Sequence, residues 1–89
     1  MTNLTPNQTE AMTALIKYCL SNMGGKNIDD LEMDPHTWVD HNDLMNAGWS
    51  LKTAQGTFGS LVAEGLVYHY EDDLFSLTDD WAELRKYHA

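Results

Sequence analysis

Apolar residues recur at helical spacing in the first quarter of the chain. From Met12 to Met23 they return every three or four positions, which places them on one stripe of a helix. The preceding Thr5-Pro6-Asn7-Gln8 predicts the helix start, because threonine caps, proline suits the first helical position and glutamine completes a capping box. Gly24-Gly25 marks the helix end. Cys19 lies on the apolar stripe, so we expect it in the core.

Residues 26–48 are polar and rich in aspartate, which predicts less regular structure. We expect residues 26–36 to form a linker, since Pro35 discourages helix before it. The apolar residues of this linker would lie under an irregular turn; they are Ile28, Leu31 and Met33.

A short strand and a second helix follow the linker. The aromatic and β-branched run over 37–39 predicts the strand, and Asp40 is a suitable cap for the helix. Leu44 and Met45 would pack inward, and Gly48 would end this helix. We expect the two flanking tryptophans, Trp38 and Trp49, to lie in the core.

The segment over 49–77, WSLKTAQGTFGSLVAEGLVYHYEDDLFSL, predicts a helix that runs directly into a hairpin. Ser50 would cap a helix over 51–64, and Gly65 would end it. The buried face of this helix is expected at Ala54, Phe58, Leu61 and Val62. Aromatic and branched residues over 66–70 predict one strand, the acidic residues 71–73 a turn, and residues 74–77 the returning strand.

A last short helix is predicted over 79–87, with Thr78 as its cap. Its apolar residues follow a spacing of three; they are Trp81, Leu84 and Tyr87. Two interpretations stay open for them: packing on the first helix, or forming a homodimer seam through the C-terminal helix.

This order of elements resembles the winged helix superfamily over about residues 5–78. The stretch SLKTAQGTFGSLVAEGLV is similar to the recognition helix and first wing strand of MarR-type regulators, which carry a Leu-Val-x-x-Gly-Leu-Val run, here over 61–67. The resemblance implies a single α+β domain over residues 1–89. Its parts would be a three-helix helix-turn-helix core, a two- to three-stranded antiparallel wing and a short C-terminal helix. It also implies a regulator that associates with DNA.

Composition sets bounds on the class of protein. A chain of 89 residues with 43% hydrophobic residues suits one domain with one core. A single cysteine cannot form an internal disulfide, no apolar run approaches the ~20 residues that span a bilayer, and the N-terminus lacks a signal-peptide pattern. We therefore expect a cytoplasmic protein. No motif for nucleophilic catalysis, phosphate cradling or metal binding is present, so we expect a non-enzymatic protein without cofactor or metal.

The predicted third helix is the candidate nucleic-acid surface. Residues 45–70 have a net charge of zero, whereas the whole chain carries −9. The net negative charge of the chain therefore lies outside this helix. The helix also carries a glutamine, a side chain that pairs with adenine edges in the major groove. The residues assigned to nucleic-acid binding are Ser50, Lys52, Thr53, Gln55, Thr57 and Ser60.

The charge of the chain supports an alternative partner. Most DNA affinity comes from Lys and Arg, yet the chain has five of these in total, and the predicted wing tip is acidic where DNA-binding wings carry Arg or Lys. The alternative is an acidic protein-interaction module, or DNA mimic, that binds a basic protein. Its contact residues would be Asp29, Asp30, Glu32, Asp34, Glu71, Asp72 and Asp73. For the acidic set over 29–43, a solvated loop and a calcium site also stay open, although the Asp-x-Asp-x-Asp-Gly pattern of calcium loops is absent.

Overall fold

A computed structural model describes residues 4–72 and 74–88. These residues form five α-helices and a three-stranded antiparallel sheet, so the predicted α+β class is confirmed at this level. The sheet order is β1-β3-β2. The elements are, in chain order, α1 (Pro6–Met23), α2 (Ile28–Met33), β1 (Trp38–Val39), α3 (His41–Asn46), α4 (Leu51–Ala63), β2 (Val67–Glu71), β3 (Leu74–Leu77) and α5 (Trp81–Leu84). A 3-10 turn at Arg85–Tyr87 follows α5.

The starts predicted for the first three helices, now α1, α3 and α4, are confirmed. The Thr5 hydroxyl accepts a hydrogen bond from the backbone N–H of Gln8 (3.2 Å), and the Gln8 side chain accepts one from the Thr5 N–H (2.8 Å). Asp40 and Ser50 cap α3 and α4 in the predicted way. At the far end of α4, Gly65 has a φ of 76°, a conformation that favours glycine, and the chain turns there into β2.

The expectation of an irregular linker over 26–36 was wrong, because α2 forms within it. Asn27 caps this helix, because its side chain accepts hydrogen bonds from the N–H groups of Asp29 and Asp30. The Asp30 side chain in turn accepts a hydrogen bond from the backbone N–H of Asn27, which completes a capping box. Two acidic residues in the first turn also suit the positive end of the helix dipole. Ile28 and Leu31 are buried as predicted, but Met33 is exposed.

The core is one cluster of buried apolar side chains contributed by the helices and one face of the sheet. Phe58 of α4 is fully buried in this cluster, with its ring centroid 4.6 Å from that of Phe75 on β3. Cys19 is buried, as predicted, and burial raises the pKa of its thiol to about 12. A thiol with so high a pKa stays protonated and is a poor nucleophile.

Trp38 does not lie in the core, contrary to the prediction. Successive side chains of a strand point to opposite faces, and Val39 takes the inward position in β1, which leaves Trp38 54% exposed. Trp49 is partly buried and packs against the core cluster. On α3, Leu44 is buried as predicted but Met45 is exposed.

The C-terminal segment packs on α1 within the same chain. Leu84 is fully buried, and Trp81 and Tyr87 are partly buried against the core. The Thr13 hydroxyl of α1 donates a hydrogen bond to the Tyr87 carbonyl (2.8 Å). Of the two interpretations, packing on the first helix is the one observed, so the apolar stripe behind the homodimer prediction is used inside the monomer. The helix cap is Asp80 rather than Thr78.

Candidate functional site

The turn between α3 and α4 sets the direction of α4. Gly48 has a φ of 102°, which side chains rarely tolerate, and the Trp49 N–H donates to the Leu44 carbonyl (3.0 Å). This tight connection holds α3 and α4 next to each other. The partly buried Trp49 side chain anchors the turn against the core.

The α4 helix has one buried and one exposed face. Its buried residues are Ala54, Thr57, Phe58 and Leu61, at the spacing of a single helical stripe. The prediction of Thr57 as a nucleic-acid contact was wrong, because this residue is only 7% exposed and lies within that stripe.

The other five predicted contact residues differ in how much they offer a ligand. Lys52, Thr53 and Gln55 are exposed on α4. Ser50 is also exposed, but its hydroxyl accepts from the Thr53 N–H (3.2 Å) and donates to the Thr53 hydroxyl (2.9 Å). Ser60 is half-buried and donates to the Thr57 carbonyl (2.9 Å). The side chains most open to a ligand are therefore those of Lys52 and Gln55.

Two glycines on α4 have no packing role inside the chain. Gly56 and Gly59 are exposed, and a Cβ atom added at either position would have no neighbour within 4 Å. Glycine inside a helix costs roughly 1 kcal/mol relative to alanine. Packing within the fold therefore does not require glycine at either position.

We expect Gly56→Ala and Gly59→Ala each to raise the free energy of unfolding by roughly 1 kcal/mol, since both positions have ordinary helical backbone and open space. The same substitutions should weaken binding of any ligand that approaches this face closely. Urea denaturation together with a binding assay measures both effects on one sample. Gain of stability with unchanged binding would show that the ligand does not approach here.

A groove lies beside the start of α4, between it and the N-terminal half of α1. Its volume is about 950 Å³, and its walls include Glu10, Thr13, Trp49 and Thr53. This groove was not predictable from the sequence, because it arises from the packing of two helices far apart in the chain and leaves no local signal. Its position extends the exposed face of α4 towards α1.

The tip of the β2–β3 hairpin is acidic, as predicted. Glu71 and Asp72 are exposed there, and the third residue of the predicted acidic turn, Asp73, lies outside the described residues. The pairing of β2 with β3 shifts register between His69 and Glu71. No lysine or arginine from the hairpin itself offsets these acids, since residues 66–80 contain neither.

The acidic residues of α2 already have partners within the chain. Arg85 extends from the C-terminal segment and donates to Asp29 (2.6 Å) and Glu32 (2.5 Å). Asp30 accepts the N–H groups of Lys26 (2.8 Å) and Asn27 (3.3 Å), and these bonds lower its pKa.

The next acidic residue, Asp34, lies 3.2 Å from the His36 ring. The structure therefore brings together four of the acids assigned to the alternative partner, but as capping and cross-linking groups of the fold.

The described part of the chain contains no group of three or more His, Cys, Asp or Glu side chains arranged to hold a metal ion. Within the same residues, no helix has the length and apolar character needed to cross a bilayer.

No protein-family model, curated protein or solved structure matches this chain.

Proposed function

We propose that this chain is a non-enzymatic winged-helix domain of the cytoplasm that associates with DNA in a regulatory role, through the exposed face of α4. Helix α1, strand β1, helices α3 and α4, and the β2–β3 hairpin follow the order expected of a winged helix, and α2 is an addition between the first two. The sheet order β1-β3-β2 also suits that architecture. The observation that carries the proposal is the exposed, nearly uncharged face of α4.

The dimensions of α4 suit a major groove. Its 13 residues span about 20 Å, and the groove is about 12 Å wide and admits one helix. Gln55 offers the amide that pairs with adenine, and Lys52 offers a cation to phosphate or guanine. Gly56 and Gly59 would allow the helix backbone to approach closely.

The electrostatics predict weak and salt-sensitive binding by the isolated chain. Lys52 is the only Lys or Arg between residues 27 and 84. A surface that neutralises one phosphate gives a slope of about −0.9 in log affinity against log salt concentration, whereas strong DNA binders neutralise many more. Base-edge contacts from α4 would have to supply most of the specificity.

We expect Lys52→Glu to abolish detectable binding to random duplex DNA at ~20 mM salt, where charges on the surface are weakly screened. The measurement is fluorescence anisotropy of labelled duplex, repeated with increasing salt. Lys17→Glu is the matched control, because Lys17 is an exposed lysine on α1 and its replacement changes the net charge equally. It should retain most of the binding.

Equal effects of the two substitutions would place the DNA contact elsewhere than on α4. Absence of binding by the unmodified chain at ~20 mM salt would exclude the DNA function. An acidic protein-interaction module would then be the preferred function. The acidic hairpin tip and the exposed residues of the sheet support that function independently of α4.

A further inference from the structure

The face of the sheet that points away from the core carries an exposed aromatic surface. We call it the outer sheet face, and its residues are Trp38, Tyr68, Tyr70, Leu74 and Ser76. Ser76 pairs with Trp38 on one side and with Tyr68 on the other, so all three lie on one rung across the sheet. Four of these five side chains are large and exposed.

Two aromatic rings on this face contact each other across the central strand. The Trp38 and Tyr70 centroids are 5.0 Å apart in an edge-to-face arrangement, and Ser76 of β3 is buried. Trp38 and Tyr70 remain 54% and 58% exposed, respectively. A small residue on the central strand thus leaves room for rings from both edge strands to meet while their outer surfaces stay open.

The fold itself does not explain this exposed surface. Phe75 and Leu77 on the opposite side of β3 are buried and supply the core contacts of that strand. Single exposed apolar residues are ordinary, but a contiguous group on one face marks a binding surface. Tyr and Trp are also the residue types that dominate the energetics of protein interfaces.

The charge around the outer sheet face selects the class of partner. The two stretches that build the sheet, residues 34–40 and 66–80, contain seven Asp or Glu and no Lys or Arg. Glu71 and Asp72 lie at the hairpin end of the face. At the other end, the Tyr68 hydroxyl is 3.3 Å from that of Thr78, which directly precedes Asp79 and Asp80.

We propose that the outer sheet face binds a segment of a partner protein rich in arginine or lysine. Cations are attracted to the faces of Trp and Tyr rings and to carboxylates, and this surface presents both together. A second copy of the chain, with a charge of −9, and a nucleic acid would both be repelled by the same carboxylates. The outer sheet face is separate from the exposed face of α4 proposed to contact DNA, because the two surfaces share no residue.

The test is a titration of the full chain with a synthetic hexa-arginine peptide, followed by amide and indole chemical shifts. We expect the Trp38 indole signal and the β2–β3 amides to shift. Trp38→Ser and Tyr70→Ser, which leave the charge unchanged, should each weaken binding about fivefold or more, within the range of a cation–π contact. Leu51→Ser is the matched control, since Leu51 is an exposed apolar residue on α4.

Three results would overturn the proposal. One is unchanged peptide affinity in both aromatic variants, which would reduce the interaction to net charge alone. The second is equal binding of a hexaglutamate peptide, and the third is no binding of hexa-arginine at millimolar concentration. Two variants on different strands guard against local unfolding, and thermal denaturation of each verifies its fold.

Discussion

Replacing Phe58 with alanine is expected to cost about 3–5 kcal/mol of unfolding free energy. The Phe58 ring is fully buried and joins α4 to the sheet, with Phe75 at 4.6 Å and the His41 ring edge-to-face at 5.2 Å. The total free energy of unfolding of a small domain is only about 5–15 kcal/mol. We therefore expect this variant to be close to unfolded at 25 °C, as measured by urea denaturation.

Gln55→Ala is the control for that substitution. Gln55 lies on the exposed face of the same helix, and surface changes of this kind stay within about 0.5 kcal/mol. A Phe58→Ala variant no less stable than Gln55→Ala would mean that α4 does not pack on the sheet as described.

The second large effect is expected from Leu84→Ala, which should lower the unfolding free energy by about 2–5 kcal/mol. Leu84 is fully buried, and the C-terminal segment that carries it is tied to α1 by the Thr13 hydrogen bond and to α2 by Arg85. Burial and a hydrogen bond to Glu83 (2.9 Å) also raise the pKa of Tyr87 to about 12. Denaturation with urea measures the loss.

The dependence on protein concentration separates the two roles considered for this segment. If the segment packs inside the monomer, the denaturation midpoint should be the same at micromolar and at hundred-micromolar concentrations of the chain. A midpoint that rises with concentration, and does so less in Leu84→Ala, would support the homodimer interpretation. Lys86→Ala serves as the control, since its exposed ion pair with Glu83 contributes little.

Signals confined to a few neighbouring residues predicted much of the fold. Thr5 with Gln8, Asp40 and Ser50 each cap the helix that follows, and Gly65 ends α4 before the hairpin. Such signals succeed because caps and glycine turns depend on backbone groups within one helical turn. The cap of α2 at Asn27 is also local, but Pro35 and the many aspartates favoured a linker there.

Features that depend on distant contacts were not predictable in the same way. A two-residue strand has no periodicity, so the outward direction of Trp38 follows only from its pairing with Ser76 on β3. Thr57 sits at the edge of the apolar stripe of α4, and only the packed core decides that a polar residue is covered there. The groove beside α4 and the outer sheet face likewise require tertiary structure.

The helix caps have a further consequence for how the acidity of this chain can be altered. Asp30, Asp40 and Asp80 hold the first turns of α2, α3 and α5, so much of the negative charge is architectural. Neutralising those carboxylates to improve contact with a polyanion would loosen three helices. Glu64 is exposed at the negative end of α4 and caps no helix start. Neutralising Glu64 is therefore the first substitution to make when the negative charge is to be reduced without loss of the fold.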